Sequence, residues 1–172
     1  CGFGLVPGLE LPRLLEAVAE VQGVVWSRGV DDCPPFLVDE LIEHMAGLPK
    51  VRLTVAGRGP EGPAVAAAVA RLGLANVELA GFLRGDDLAR AVRRASLMVF
   101  PSEAYETFGM GILESFLAGK PVVASNLGAY PELVVDGRRG GLLFEPGNAE
   151  DLAAKLDLLL GDETGRRDLA RA

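Results

Sequence analysis

Two carboxylates stand eight residues apart in the segment Pro101-Ser-Glu-Ala-Tyr-Glu-Thr-Phe-Gly-Met-Gly-Ile-Leu-Glu114, which reads as a strand end, a loop and the start of a helix. Glu106 falls at the end of the loop and Glu114 about one turn into the helix, while Gly109 and Gly111 leave the first helical N–H groups unobstructed. Those N–H groups and the helix dipole attract an anion, phosphate above all. Carboxylates beside a phosphate site repel it unless they hold something else, and an ionised carboxylate readily accepts hydrogen bonds from a pair of hydroxyls. A phosphate next to a diol describes a nucleotide sugar. The competing reading leaves Glu106 a solvated loop charge and Glu114 a helix-surface charge.

The elements that must position these residues follow an alternating pattern. Short runs rich in Val, Leu and Phe predict strands over 23–26, 51–56, 77–80, 97–100, 121–124 and 141–144. Helical spacing of apolar residues predicts helices over 11–21, 35–46, 62–72, 86–95, 109–117 and 149–160, with Asp86 and Asn148 as N-caps. Most of the strands are apolar on successive residues, as expected when helices cover both faces of a parallel sheet. The fold class is therefore α/β, a Rossmann-like doubly wound parallel sheet. Ligands of such sheets bind at the carboxyl ends of the strands, where 57–61 and 101–107 form loops. The domain proper is expected over 23–161, after a partly ordered segment 1–22 and before a charged, frayed tail 162–172.

Composition sets the bounds. The chain has 172 residues, of which 49% are hydrophobic, enough for a real core. With 22 Gly and 11 Pro it stays below the ~25–30% typical of low-complexity chains. A net charge of −7 and a pI near 4.8 argue against nucleic acid as a partner, since neutralising phosphates takes surplus Lys and Arg. No uncharged run approaches the ~20 apolar residues of a membrane span. Cys1 and Cys33 form neither a disulfide framework nor a ligand set, and the single His44 excludes His-based clusters. A reducing, cytoplasmic setting without a bound metal or cofactor is the expectation. The chain begins at Cys1 with no signal-peptide pattern and reads as a fragment or processed piece.

Residues from about Val51 to Leu160 resemble the C-terminal, donor-binding domain of retaining GT-B glycosyltransferases of family 4, the glycosyl transferases group 1. The resemblance is carried, in order, by Gly57-Arg-Gly-Pro60, Gly81-Phe82, Phe100-Pro-Ser102, the Glu106 and Glu114 pair around Phe108-Gly109, Ala118-Gly-Lys-Pro-Val-Val-Ala-Ser125, Gly128 with Pro131-Glu132, Gly140-Gly-Leu-Leu143 and Pro146-Gly147. It implies that Glu106 binds hydroxyls of the donor hexose and serves as the catalytic carboxylate, and that Glu114 binds the ribose. The amides of Phe108, Gly109 and Met110 would approach the sugar and diphosphate, and the loop holding Leu83 would contact the base through its backbone. The implied partners are a nucleotide-diphosphate sugar donor and a separate N-terminal GT-B domain carrying the acceptor site, with peripheral membrane association of the intact enzyme left open.

One departure matters. The family places Arg-x4-Lys on the diphosphate after the first strand. Arg28 supplies the Arg, but Cys33 stands five residues on; an alternative alignment puts Asp31 and Phe36 at the two positions, and no Lys precedes Lys50. A thiol brings no positive charge, so either Arg28 and helix amides hold the diphosphate, or the domain binds nucleotide sugar without turnover. A dinucleotide-binding domain is the remaining rival, because Gly57-Arg-Gly-Pro-Glu-Gly62 matches G-x-G-x-x-G between strand and helix. Its required acidic partner is misplaced, however: Glu78 lies within a strand rather than at its end. Arg84-Gly-Asp86 reads as a turn and N-cap, His44 as a solvated helix residue, and Arg90, Arg93 and Arg94 as a solvated face, with a membrane or acceptor role as the alternative.

Overall fold

The computed structural model describes residues 21–26, 35–59, 62–103, 105–135 and 137–171. Strands β1 (Val21–Trp26), β2 (Val51–Ala56), β3 (Val77–Gly81), β4 (Leu97–Phe100), β5 (Val122–Ser125) and β6 (Gly141–Phe144) form one sheet in the order β3-β2-β1-β4-β5-β6. Each neighbouring pair runs parallel. Helices α1 (Pro35–Ala46), α2 (Gly62–Leu72), α3 (Gly85–Arg94), α4 (Met110–Leu117) and α5 (Tyr130–Leu133) lie between successive strands, and α6 (Ala149–Gly161) and α7 (Glu163–Arg171) follow β6.

The period of two along each strand sorts side chains between two cores. Leu97, Val99 and Val123 point to one face and pack with Leu41, Ile42 and Met45 of α1 and Leu152, Leu156 and Leu159 of α6. Met98, Phe100, Val122 and Ala124 point to the other, against Ile112 of α4 and Tyr130 and Val134 around α5. Burying each such Val, Leu or Phe stabilises the fold by about 1.5–3 kcal/mol. This double cover explains why β4 and β5 are buried along their whole length.

Several expectations need correction. Val21, read as the last residue of a helix over 11–21, is the first residue of β1, because Val21 pairs with Val51 in the ladder; the remainder of that helix lies outside the described residues. Asp86 does not cap α3: the chain enters from an extended Arg84 without a side-chain cap, and Asp86 and Asp87 sit in the first turn, where they complement the dipole. Asn148 does cap α6, its side-chain oxygen accepting from Asp151 N at 3.0 Å.

The segment 162–172 is not a frayed tail. Its residues Glu163–Arg171 form α7, and Arg166, only 8% exposed, donates from Nη1 to the carbonyls of Leu159 and Leu160. A guanidinium thus satisfies carbonyls left open at the end of α6, as a cation at a helix C-terminus should. Burial lowers the Arg166 pKa, while Glu163 and Asp162 pull it back up. The helix also reaches the edge of the sheet, where Gly140 N donates to Leu169 O at 3.0 Å just ahead of β6.

His44 is not a solvated residue either. Its Nε2 lies 2.9 Å from Asp157 Oδ1, and both side chains are largely covered. The contact joins α1 to α6 across the first core.

Candidate functional site

β1 and β4 are neighbours, yet the chain leaves them toward opposite faces: α1 packs into one core and α4 into the other. Helices sent to opposite faces in this way mark a topological switch point, the crevice at the carboxyl ends of two neighbouring strands where open α/β sheets bind ligands. The segment from Pro101 to Gly109 lies there.

Its backbone is held from β5 and the turn that follows. Ser125 Oγ donates to Ser102 O at 2.5 Å, fixing the start of the loop to the end of β5. Ala129 N donates to Glu106 O at 2.9 Å. Gly128, at φ +60°, approaches so closely that a Cβ there would lie 2.7 Å from Glu106 O and 3.0 Å from Glu106 N. The carboxylate of Glu106 is left out of this clamp, on a half-buried residue.

Gly109, at φ +61°, turns the chain into α4, and a Cβ there would come within 2.8 Å of Leu133 and 3.3 Å of Tyr130. Its carbonyl accepts from Ile112 N at 2.9 Å and Leu113 N at 3.2 Å. The amides of Met110 and Gly111 belong to the first turn, whose N–H groups have no intrahelical acceptor. Ser115, buried on the same helix, donates its hydroxyl back to Gly111 O at 2.7 Å, so the buried side of α4 carries no orphaned hydroxyl. Glu114 is exposed one turn along. Phe108 is 72% and Met110 42% exposed, more apolar surface than a closed site would leave open.

The structure therefore brings Glu106, Phe108, Gly109, Met110 and Glu114 together on one loop and helix start. Leu83 also lies at the carboxyl edge of the sheet, but after β3, two strands from the β1–β4 crevice. Beside it Arg84 stacks on Phe82, 4.7 Å from the ring centroid. Arg28 and Cys33 fall outside the described residues, and Phe36 belongs to the first turn of α1. The glycine motif at 57–62 follows β2, not the switch-point strand β1, and Gly57 N bonds to Gly81 O at 2.8 Å beside β3; Glu78 pairs with Thr54 in mid-strand. Neither placement suits a dinucleotide fingerprint.

Sequence reasoning missed the residues that support the loop. The grip of Gly128 and Ala129 on Glu106 is a contact between segments far apart in the chain. Tyr130, buried against Gly109 and tilted at 58° to Phe100 with centroids 6.1 Å apart, belongs to a helix of four residues, too short for periodicity to signal. The glycine at 128 was the available clue.

Comparison with known proteins agrees with this fold. The chain is 38% identical over 138 residues to the D-inositol 3-phosphate glycosyltransferase of Mycobacterium sp. (strain KMS), covering 75% of this chain and 31% of that protein. It is 39% identical over 94 residues to the sulfoquinovosyl transferase SQD2 of Arabidopsis thaliana, covering 54% of this chain and 18% of that one. Among solved structures, HepE of Anabaena in complex with UDP and glucose superposes with a TM-score of 0.77 at 27% identity, over 93% of this chain and 44% of HepE. The C-terminal domain of the glycosyl transferase group 1 family protein LpcC of Francisella tularensis shares the fold, with a TM-score of 0.75 at 23% identity over 96% of this chain and 89% of that domain. This chain thus spans less than a third of each of these two curated relatives. The family described as glycosyl transferases group 1 matches residues 14–162, most of the chain, and with a Rossmann-like sheet shared with GT-B structures this places the protein in that family.

Proposed function

We propose that this domain binds a nucleoside-diphosphate sugar over the β1–β4 crevice, and that the whole protein transfers its hexose with retention to an acceptor hydroxyl. The observation that carries the reading is Glu106, clamped by its backbone to Gly128 and Ala129 directly ahead of the positive end of α4. In this reading Glu106 accepts hydrogen bonds from hexose hydroxyls and Glu114 from the ribose. The amides from Phe108 to Met110 meet the diphosphate, Arg28 adds a positive charge, and the loop at Leu83 lies toward the base. Charge that develops on the departing diphosphate is then met by N–H groups already aimed at it, which is how a preorganised site lowers a barrier. Holding the donor in one orientation supplies the rest. The complex of HepE with UDP and glucose supports a donor of this class. The acceptor site belongs to a separate N-terminal domain, so the chain by itself binds donor without transferring it. A non-catalytic role is the second reading, favoured by the thiol of Cys33 where the family Lys is expected.

Calorimetric titration of the chain with UDP-, GDP- and ADP-glucose tests the binding. Heat well above that of inorganic phosphate is expected for at least one of the three; none above it would end the proposal. The clamp can be tested separately with Gly128→Ala. A left-handed conformation costs a non-glycine residue about 1–2 kcal/mol, and the new methyl would drive the Glu106 backbone outward. The expected result is a loss of sugar-nucleotide affinity of about tenfold or more with a fall in Tm of only roughly 2–8 °C. Unchanged affinity would show that the position of Glu106 is irrelevant to the ligand.

A further inference from the structure

The end of the sheet opposite the crevice carries a different chemistry. Arg93 and Arg94 close α3 ahead of β4, and Arg138 and Arg139 precede β6; these four side chains are exposed. Between them lies the last turn of α4, where Leu117 is 89% exposed, the highest value among the exposed large hydrophobic residues. Neighbouring contacts join the pieces. Lys120 Nζ donates to Arg93 O at 2.8 Å, bracketing α3 to the end of α4. On the other side Phe116 packs so closely on Gly140 that a Cβ there would lie 2.4 Å from its ring, which sets Arg139 beside the same turn. A cavity of about 360 Å³ adjoins it, lined by Leu113, Phe116, Leu133 and Leu169 together with Arg139, Arg171 and one carboxylate, Glu132. Arg90, the remaining cation of α3, pairs with Asp87 on its own helix.

We infer that this face, two arginine pairs flanking exposed Leu117, docks the protein on an anionic lipid bilayer. Charge complementarity argues for the partner. The chain carries −7 overall, but at physiological salt charges beyond about 8 Å are screened, so a local cluster acts on a surface without regard to the total. Each cation near an anionic bilayer strengthens binding about fivefold. Exposed Leu117 and the apolar cavity wall at the centre of the cluster decide between bilayer and soluble polyanion, since only lipid offers apolar depth for them to enter. Among the described residues no helix is long and apolar enough to cross a membrane, so attachment here is peripheral. The arginines precede their strands while the crevice follows them, and a docked molecule therefore keeps the crevice turned to solution.

Sedimentation of the chain with vesicles tests this directly. It should pellet with vesicles of equimolar phosphatidylglycerol and phosphatidylcholine, remain in solution with pure phosphatidylcholine, and be released by high salt. Arg93→Gln with Arg94→Gln should weaken the partition by about 25-fold, Arg138→Gln with Arg139→Gln by as much, and Leu117→Ser severalfold without altering charge. None of these residues belongs to the crevice, so titration with whichever of UDP-, GDP- or ADP-glucose binds the parent chain should be unchanged in each variant; that separates a failure here from a failure of the donor assignment. Equal partition onto neutral and anionic vesicles overturns the inference. So does full competition by soluble polyphosphate with no effect of Leu117→Ser, the signature of a polyanion or acidic-protein surface.

Discussion

Glu114→Gln should weaken the nucleoside diphosphate and the nucleoside-diphosphate sugar of the proposed donor to the same degree, whereas Glu106→Gln should weaken only the ligand that carries the sugar. Losing a charged hydrogen-bond partner costs about 1.5–3 kcal/mol, so each affected affinity should fall roughly tenfold to a hundredfold. The structure makes the comparison clean. Ala129 N bonds to the Glu106 carbonyl, and the close approach of Gly128 is to its backbone, so an amide side chain leaves the loop where it is. Glu114 is exposed on α4, and its replacement disturbs no packing. Titration of both variants with both ligands reads four affinities. Equal losses for the sugar-free nucleotide in the two variants would contradict the division of labour between the carboxylates.

The second large effect is on the fold. Gly141 begins β6 opposite Val122, and a Cβ on it would lie 1.9 Å from Val122 O and 2.8 Å from Val122 N. The obstacle is backbone, which cannot rotate aside. For Gly141→Ala the strand must move off β5, breaking its ladder and the seat of Phe144 in the first core. A loss of about 3 kcal/mol or more is expected, a fall in Tm of roughly 6–12 °C for a domain of this size. Thermal unfolding followed by circular dichroism measures it; a Tm within about 2 °C of the parent would mean that β6 is not paired as described.

Much of this architecture was legible in the residues. The strands 51–56, 97–100 and 141–144 and the helices 35–46 and 62–72 have the bounds expected from apolar runs and helical spacing, because both cores reward those patterns directly. What escaped notice depends on partners far along the chain. Val21 looked helical beside an Ala- and Leu-rich stretch, but pairing with Val51 draws it into the sheet. His44 looked solvated until Asp157, on a helix near the other end of the chain, met it. The 162–172 segment looked frayed because its residues are charged; the sequence does not display that one of those charges, Arg166, fits the carbonyls of Leu159 and Leu160. The placement of Glu106 on a loop and Glu114 on the helix that follows was legible for the opposite reason, since loop, glycine turn and helix start are contiguous.

The seam between β1 and β4 has a consequence for breathing motions. Only three residue pairs join these strands, Gly23 to Leu97, Val24 to Met98 and Val25 to Val99, against six between β1 and β2. Three pairs also join β4 to β5, so β4 is a strand held by short ladders on both sides, supported by the cores packed on it. In the proposed reading a donor rests on the loop and helix start that follow β4, and so on the closed, fully paired sheet. Because a ligand that binds only the closed form stabilises it by mass action, donor occupancy should slow amide hydrogen exchange along Leu97–Phe100 first. Ligand occupancy would then also set how firmly β4 stays in the sheet.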